Sequence, residues 1–301
     1  MPQPPARAVP PPRRRRPRSG GAVAMVFLAP ALVTLILTRL APAVDTLIAS
    51  LRDGGAWSLA NYAELGATTF REAVVTTVVF NAIINPAQVV VSYALAVVLS
   101  QRLPAVGFWR TLIFLPMAVP PAVSTVVWGI WFRPGDGIVN SLLGTVGLPD
   151  QPFLTSPTQA LYVIMVIASW IGVGYWMMFL IAGIKNVPAE MTEAAAIDGA
   201  GWWRRLITIV TPMVRRQLSF VLVAATVANF LLFVPVQVLT RGGPAGSTNL
   251  VMYEAYTQAF VFNDPGPAFA QITVLVALVA VIVAVQFRLM RGPTEQVRHA
   301  S

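Results

Sequence analysis

The sequence predicts an all-α membrane protein with six transmembrane helices. Its 301 residues are 56% hydrophobic and only 11% charged, and the mean hydropathy is +0.69, whereas roughly a quarter of the residues in a soluble domain are charged. Six apolar segments are long enough to cross a hydrocarbon layer of ~30 Å, for which a helix needs about 20 residues. These segments are continuously apolar and lack the alternation of barrel strands, so helices are predicted.

The six spans follow one another with polar connections between them. We place them at Ala22–Val44, Ala73–Leu99, Val106–Trp131, Ala160–Ile184, Leu218–Thr240 and Ala268–Leu289. A membrane helix tolerates proline because neighbouring helices can satisfy the freed carbonyl groups. We therefore expect kinks, above all in the third span, which contains Pro116, Pro120 and Pro121.

The spans divide the chain into three regions. Residues 1–21 are predicted to be a disordered basic tail, residues 22–291 one membrane domain with a polar loop at 185–217, and residues 292–301 a second tail. The first apolar segment is longer than that of a usual signal peptide, so we expect it to be retained as a helix.

The distribution of basic residues predicts the orientation. If the N-terminus is cytoplasmic, 16 of the 21 Lys and Arg residues lie on the cytoplasmic side, and Arg39 lies within the first span. Four lie outside, namely Arg52, Arg71, Arg133 and Arg241. Cytoplasmic loops of membrane proteins carry an excess of Lys and Arg. Both termini and the 185–217 loop are therefore predicted to be cytoplasmic.

Composition also excludes several kinds of site. The chain has no Cys, and its only His is His299 near the C-terminus, so neither a thiolate metal site nor a histidine cluster is expected. The net charge is +9, but the Arg13–Arg16 run directly precedes an apolar span. There it sets topology and meets anionic lipid head groups, so we predict contact with membrane lipid and no nucleic-acid partner.

Residues 188–212 form a polar island between the fourth and fifth spans. Pro188 suits a first helical position, and Glu190 and Glu193 lie near the positive end of the helix dipole. A helix from Pro188 to Ile197 is predicted, followed by a bend at Gly199, which can adopt positive φ, and a second helix from Ala200. An ordinary amphipathic loop helix would also explain the polarity.

The spacing within this island resembles the EAA loop of ABC-type importer permeases, the cytoplasmic segment that docks onto a separate ATPase subunit. The matching residues are Glu193, Ala194, Ala195, Asp198, Gly199, Ala200, Ile209 and Pro212. The resemblance implies that the following residues couple the chain to the ATPase: Glu190, Glu193, Ala194, Ala195, Asp198, Gly199, Arg204 and Arg205. For the two arginines, a solvated or lipid-facing position is an equal alternative.

Residues 22–291 as a whole are similar to carbohydrate-uptake permeases of the maltose and glycerol-3-phosphate type. The similarity lies in Arg110–Pro121 and Leu239–Thr248, and the glycerol-3-phosphate branch is favoured by the Gly-Ala-Gly-Trp-Trp-Arg-Arg stretch ending at Arg205 and by Val285–Arg288. The implied function is translocation of a sugar, glycerol-3-phosphate or a related glycerophosphodiester, with another small polar solute as the alternative.

The resemblance also implies an assembly in the bacterial cytoplasmic membrane. Its other members are a homologous second permease, two ATPase subunits and an extracytoplasmic substrate-binding protein. The chain lacks the G-x-x-x-x-G-K-[ST] phosphate loop, and its only Lys is Lys185. We therefore expect a transport subunit that binds no cofactor, with ATP and Mg bound to the partner ATPases.

Polar and aromatic side chains inside the spans are the candidates for the substrate pathway, because such groups usually face the bundle interior. They are Asn81, Asn85, Trp170, Tyr175, Trp176, Asn229 and Gln237. Asn229 is placed near the middle of the fifth span. The alternatives are packing or interfacial anchoring for the aromatic residues and interhelical hydrogen bonds for Asn85 and Asn229.

Two other function classes are weighed against a permease. A proton- or sodium-coupled transporter would normally show carboxylates within its spans or broken repeat helices, and almost no intramembrane carboxylates are found. A membrane-embedded enzyme would need a catalytic set, which a chain without Cys and with one terminal His does not offer.

Overall fold

The computed structural model describes residues 20–66, 68–101 and 103–290. The bulk of the predicted N-terminal tail and all of the C-terminal tail lie outside these ranges. The chain divides into two compact units, Met1–Ile48 and Ala49–Ser301. Helix α1 (Gly20–Leu35) continues through a π-helical turn (Ile36–Leu40) into α2 (Ala41–Ser50), and the last two residues of α2 belong to the second unit. Side chains from Met25 to Leu40 are all exposed.

The second unit is almost entirely helical. A two-stranded hairpin, β1 (Arg52–Asp53) and β2 (Ala56–Trp57), precedes its helices. The α-helices are α3 (Ala60–Ala63), α4 (Thr68–Leu99), α5 (Val106–Phe114), α6 (Pro121–Trp131), α7 (Ile138–Thr145), α8 (Ala160–Lys185), α9 (Ala189–Ile197), α10 (Trp202–Arg205), α11 (Thr211–Met213), α12 (Arg215–Phe230), α13 (Val251–Tyr256) and α14 (Pro265–Met290). The 3₁₀ turns are Glu64–Gly66, Leu115–Ala118 and Phe153–Thr155, and the π-helical turns are Leu206–Val210, Val236–Thr240 and Thr257–Val261.

Length and hydropathy give four to six candidate membrane spans in the described part of the chain. Four helices qualify alone: Met25–Ser50, Thr69–Leu99, Ala160–Lys185 and Pro265–Met290. Two further pairs qualify only if each bent pair is counted as one span: Val106–Ala118 with Pro121–Trp131, and Trp202–Met213 with Arg215–Phe230. The predicted all-α class is confirmed, and the predicted six spans are the upper end of this range.

The third predicted span bends much more sharply than a kinked helix, because its two halves meet at 100°. Val119 and Pro120, each followed by proline, have extended ψ angles of 132° and 133°. The ring of a proline disfavours the helical region for the residue before it, so two successive prolines break the helix. Pro121 then begins α6, where its missing N–H costs nothing.

The fifth predicted span, Leu218–Thr240, is wrong in its extent. Helix α12 begins at Arg215 and ends at Phe230, and only a π-helical turn, Val236–Thr240, lies beyond it. Pro235 supplies no N–H for the Leu231 carbonyl, and its ring would overlap that carbonyl in a continuous helix, so the helix breaks before it. Asn229 consequently lies next to the end of α12 and not at the middle of a continuous helix.

Helix α4 lies at the centre of the second unit. One core cluster joins its Ala96 and Leu99 to Met177 and Leu180 of α8 and to Val221 of α12. Other clusters join α4 to α13 and α14 through Phe70, Val251 and Leu275. Along the middle of α4 the pattern is inverted relative to a helix in water, because large apolar side chains such as Val75 and Val90 are exposed while polar residues such as Asn81 and Gln88 are buried.

Candidate functional site

The first candidate site is the coupling segment, residues 186–214, which follows the end of α8. Its helix α9 begins at Ala189 and ends at Ile197, with Pro188 as the N-cap residue and Glu190 in the first turn. The predicted helix is therefore confirmed, although Pro188 lies one position before its start. Glu190 lies where the helix dipole favours a negative charge.

The bend after α9 is a Schellman turn. Gly199 has φ +81°, its N–H donates to the Ala196 carbonyl at 3.1 Å, and the N–H of Ala200 donates to the Ala195 carbonyl at 2.8 Å. Both bonds satisfy carbonyl groups that a helix end would otherwise leave unpaired, and the positive φ favours glycine. The predicted bend is confirmed, but the second helix begins at Trp202 instead of Ala200.

The outer surface of the coupling segment is exposed. Glu190, Glu193, Ala194, Asp198, Gly199 and Arg204 are exposed, and Ala195 is half-buried. Large apolar side chains share this surface: Met191 is 48% exposed, Trp203 69% and Ile197 88%. The predicted coupling residues include none of these three, because that prediction rested on the small and charged residues of the EAA-loop resemblance.

The two arginines of the segment differ. Arg204 is exposed, whereas Arg205 is half-buried and donates from Nη1 to the carbonyl of Thr192 in α9 at 3.4 Å. Beneath them, a cavity of about 200 Å³ is lined by residues of the coupling segment and by Val97, Ser100 and Gln101 at the end of α4. Arg205 therefore binds α10 to α9, an intramolecular contact that the sequence did not predict.

Two further contacts fix the coupling segment and α5 to α4. The hydroxyl of Tyr93 in α4 is hydrogen-bonded to that of Thr211 in the segment at 2.7 Å. The guanidinium of Arg110 in α5 donates from both Nε, at 3.0 Å, and Nη2 to the carbonyl of Leu99, the last residue of α4. A cation at this helix end also complements the helix dipole.

The second candidate site is a polar stripe along the buried face of α4. It consists of Thr77, Asn81, Asn85, Gln88 and Ser92, each at most 4% exposed. Their spacing of three or four residues places them on one face of the helix. Sequence reasoning found Asn81 and Asn85 but missed the other three, although the same periodicity continues through them.

The polar stripe hydrogen-bonds to three neighbouring elements. The Asn229 amide nitrogen in α12 donates to Asn85 Oδ1 at 2.7 Å and to Gln88 Oε1 at 3.0 Å. Ser92 donates to the Val173 carbonyl in α8 at 3.1 Å, and the N–H of Val251 donates to Thr77 at 2.9 Å. The interhelical alternative considered for Asn85 and Asn229 is thus what the structure shows within this chain.

Thr226 extends the same network to the last helix. Asn85 Nδ2 donates to Thr226 Oγ1 at 3.2 Å, and Gln286 Nε2 of α14 donates to the same oxygen at 2.9 Å. Asn229 Oδ1, in contrast, has no hydrogen-bond partner in the described ranges. The Asn229 amide is therefore held by its nitrogen and keeps an unused acceptor.

The remaining pathway candidates are distributed over three places, of which two are the core beside α8 and the turn after α12. Tyr175 and Trp176 pack edge-to-face at a centroid distance of 4.8 Å, and Trp176 belongs to the core between α4, α8 and α12. Gln237 lies in the π-helical turn after α12, and its Oε1 is buried without a partner in the described part. The structure does not join Gln237 to the polar stripe.

Trp170 lies on a cavity of about 630 Å³ between α4, α5, α6 and α8. Its lining is mostly apolar and includes Ile84, Trp128 and Ser169. Gln88 Nε2 of the polar stripe is 3.4 Å from Ser169 Oγ, so Ser169 belongs both to the cavity wall and to the edge of the polar network. Gly174, also in the wall, permits close packing of α8 on α5, because a Cβ there would overlap the Ile113 carbonyl.

Comparison with known proteins identifies the family to which this chain belongs. Residues 88–292 match the family described as binding-protein-dependent transport system inner membrane component. The chain belongs to this family. The predicted ABC-type importer permease is thereby confirmed, and the chain is a membrane subunit of a transport system.

Individual relatives agree with the family. The chain is 34% identical over 271 residues to an sn-glycerol-3-phosphate transport system permease protein UgpA of Brucella suis, covering 87% of this chain and 92% of the relative. It is 31% identical over 272 residues to the protein of the same name from Agrobacterium fabrum, with the same coverage. The predicted resemblance to the glycerol-3-phosphate branch is confirmed by these relatives.

Solved structures confirm the fold of this permease. A chain of a bacterial ABC transporter that imports the acidic polysaccharide alginate superposes with a TM-score of 0.78 at 17% identity, covering 91% of this chain and 96% of that one. The alginate transporter in complex with its pentasaccharide-bound periplasmic protein gives a TM-score of 0.80 at 18% identity, with coverages of 91% and 95%.

Proposed function

We propose that this permease translocates sn-glycerol-3-phosphate or a related glycerophosphodiester across the bacterial cytoplasmic membrane, driven by ATP hydrolysis on partner subunits. The observation that carries this proposal is the 34% identity, over 87% of the chain, to glycerol-3-phosphate permeases. A second permease, two ATPase subunits and an extracytoplasmic binding protein complete the assembly, and ATP and Mg bind to the ATPases.

In this proposal the coupling segment docks onto an ATPase. Glu193 and Asp198 supply negative charge, Ala194 allows close approach, and exposed Ile197 and Trp203 bury apolar area in the contact. The mixture of a charged rim and large apolar side chains is typical of a protein–protein interface. Arg205 acts differently, because its bond to Thr192 keeps the two helices of the segment together.

Movement of the docked segment would reach the membrane core through α4. Tyr93 contacts the segment at Thr211, and the same helix carries the polar stripe that binds α12 through Asn229. A displacement at one end of α4 therefore changes the position of its amide groups relative to α8 and α12. We propose this as the route by which ATP binding switches the access of the pathway.

The substrate pathway is proposed to pass the 630 Å³ cavity, with the second permease covering its open side. Trp170 offers an aromatic face to a polyol, and the free Oδ1 of Asn229 can accept a hydroxyl hydrogen. Buried polar side chains in the described ranges are all neutral Ser, Thr, Asn or Gln. The lining of the cavity likewise contains no charged residue. We therefore propose that this chain offers amides, hydroxyls and aromatic faces to the substrate, and that selectivity for a phosphate comes from the binding protein or the second permease.

Uptake by the purified assembly in proteoliposomes tests the proposed function. Radiolabelled sn-glycerol-3-phosphate should accumulate only when ATP, both permeases, the ATPases and the binding protein are present. An excess of unlabelled glycerophosphodiester should reduce the accumulation, and maltose should not. ATP-dependent uptake of a different polar solute, with none of glycerol phosphate, would refute the substrate assignment, and uptake without ATP would refute the mechanism.

A further inference from the structure

A third cavity lies at the opposite end of α4 from the coupling segment. Its volume is about 550 Å³. The residues that line it with polar side chains are Glu64, Thr69, Glu254, Thr257, Gln258 and Gln271. They come from the 3₁₀ turn before α4, the first turn of α4, the region of α13 and the first turns of α14. None of them belongs to the coupling segment or to the polar stripe.

The lining of this acidic cavity is rich in hydrogen-bond acceptors. Its described residues include the carboxylates of Glu64 and Glu254 and no Lys, Arg or His. Asn249 Nδ2 donates to Glu254 Oε2 at 2.7 Å, which orients the carboxylate and leaves Oε1 without a partner in the described part of the chain. Two carboxylates that share a cavity raise its negative potential.

Gln271 provides an independent sign that the cavity can bind a hydrogen-bonding group. It is 4% exposed, and its Oε1 is buried without a hydrogen-bond partner in the described ranges. Buried amides are normally hydrogen-bonded, because an unmade bond leaves a desolvation cost. Gln271 also lines the cavity, so a hydrogen-bond donor that enters the cavity can satisfy this oxygen.

The chemistry of the lining selects the kind of ligand. Two carboxylates repel the phosphate of the proposed substrate, so the cavity does not belong to the substrate pathway. No group of three or more His, Cys, Asp or Glu residues in the described part could hold a metal ion. An ammonium or guanidinium group, which is cationic and has only donors, complements these acceptors.

The position of the cavity indicates where the cation comes from. Thr69 lies at the start of α4, and Leu99 at its other end is next to the coupling segment. The ~30 residues between them span about 45 Å at a rise of ~1.5 Å per residue. If the coupling segment is cytoplasmic, as the proposed function requires, the acidic cavity is on the outer side, where the binding protein arrives.

We propose that the acidic cavity receives a Lys or Arg side chain of the extracytoplasmic binding protein and so helps to dock it. This inference rests on the proposed function. A charged pair of this kind orients the approaching partner and accelerates association, and its effect weakens as salt screens the charges.

Binding-protein-stimulated ATP hydrolysis by the assembled transporter tests the docking site. The variants are Glu64→Gln, Glu254→Gln and the double variant, with Asp150→Asn, an exposed residue of the predicted outer α7–α8 loop, as the control. The double variant should need at least about tenfold more binding protein for half-maximal stimulation, at unchanged basal hydrolysis. Raising the salt concentration should erase this difference, and the control should match the wild type.

The same assay separates the other outcomes. An unchanged half-maximal concentration in the double variant overturns the docking site. A thermal-shift assay with agmatine tests whether the cavity binds a free cation instead. The docking assignment is wrong, and the ligand is a free cation, if three results occur together: agmatine stabilises the wild-type complex saturably, the double variant loses this stabilisation, and the dependence on binding protein is unchanged. Wild-type complex that is not stimulated at all would instead refute the proposed function. Because Glu64 is exposed, Glu64→Gln tests the site even if Glu254→Gln fails to assemble.

Discussion

At the residue scale, Asn229 joins two helices and also has an amide oxygen free for the proposed substrate contact, so the two roles predicted as alternatives are compatible. Its amide nitrogen joins α12 to α4 through two hydrogen bonds, while its amide oxygen has no partner in the described ranges. A stability change alone therefore does not tell a structural residue from one that contacts substrate. The transport rate of each assembled complex is the measurement that separates them.

Asn229→Ala should both destabilise the assembly and slow transport. The substitution removes the donors to Asn85 and Gln88, for which a loss of ~0.6 to 2 kcal/mol is typical between membrane helices. It also removes the proposed acceptor for a substrate hydroxyl. Ser219→Ala on the same helix is the control, because the Ser219 hydroxyl bonds only to a carbonyl of its own helix. Reduced thermal stability with an undiminished uptake rate per complex would eliminate the substrate contact.

At the element scale, the coupling segment depends on a backbone conformation that few residues can adopt. Gly199 has φ +81°, whereas Gly201, two residues later, has φ −62° and ψ 165°. Neither glycine has a neighbouring atom that a Cβ would meet within 4 Å. A proline at position 199 therefore conflicts with the native backbone, whereas a proline at position 201 fits it.

Gly199→Pro should abolish ATP-driven uptake, while Gly201→Pro should retain it. Proline fixes φ near about −65° and has no N–H, so at position 199 it removes both the positive φ and the bond to the Ala196 carbonyl. At position 201 the native φ already suits proline. Recovery of the ATPase with the purified permease should fall only for Gly199→Pro. Equal uptake by the two variants would show that this turn is not needed for coupling.

At the scale of the whole molecule, the orientation in the membrane stays a prediction. It follows from the distribution of the basic residues, which places both termini and the coupling segment in the cytoplasm. Gly54, Gly147 and Gly199 all have positive φ, so a cysteine at these positions would strain the backbone. Exposed neighbours serve better, namely Leu148 for the outer side and Ile197 for the coupling segment.

In intact cells, an impermeant thiol reagent should label Leu148→Cys and not Ile197→Cys. In cells that lack the partner ATPase, which would otherwise cover position 197, both should be labelled after the membrane is permeabilised. The natural absence of Cys makes each introduced thiol the only target on this chain. Labelling of Ile197→Cys from outside would reverse the proposed orientation, and with it the sides assigned to the coupling segment and the acidic cavity.

The sequence by itself determined the features that depend on local composition. Continuous apolar runs predicted the long helices α4, α8 and α14, and Gly199 together with the preceding alanines predicted the turn of the coupling segment. Pro188 and Glu190 marked the start of α9 to within one residue. These features are local because a helix satisfies its backbone hydrogen bonds within its own segment, as a membrane requires.

Only the tertiary structure decided how the broken segments and the buried polar groups are arranged. Whether Pro235 kinks a helix or ends it depends on what else can satisfy the freed backbone groups, and this chain ends α12 at Phe230. The partners of Gln88, Gln271 and Arg205 lie on other elements or are missing from the described part, so no sequence period identifies them. The acidic cavity likewise exists only because Glu64 and Glu254, 190 positions apart in the chain, line one space when the helices pack.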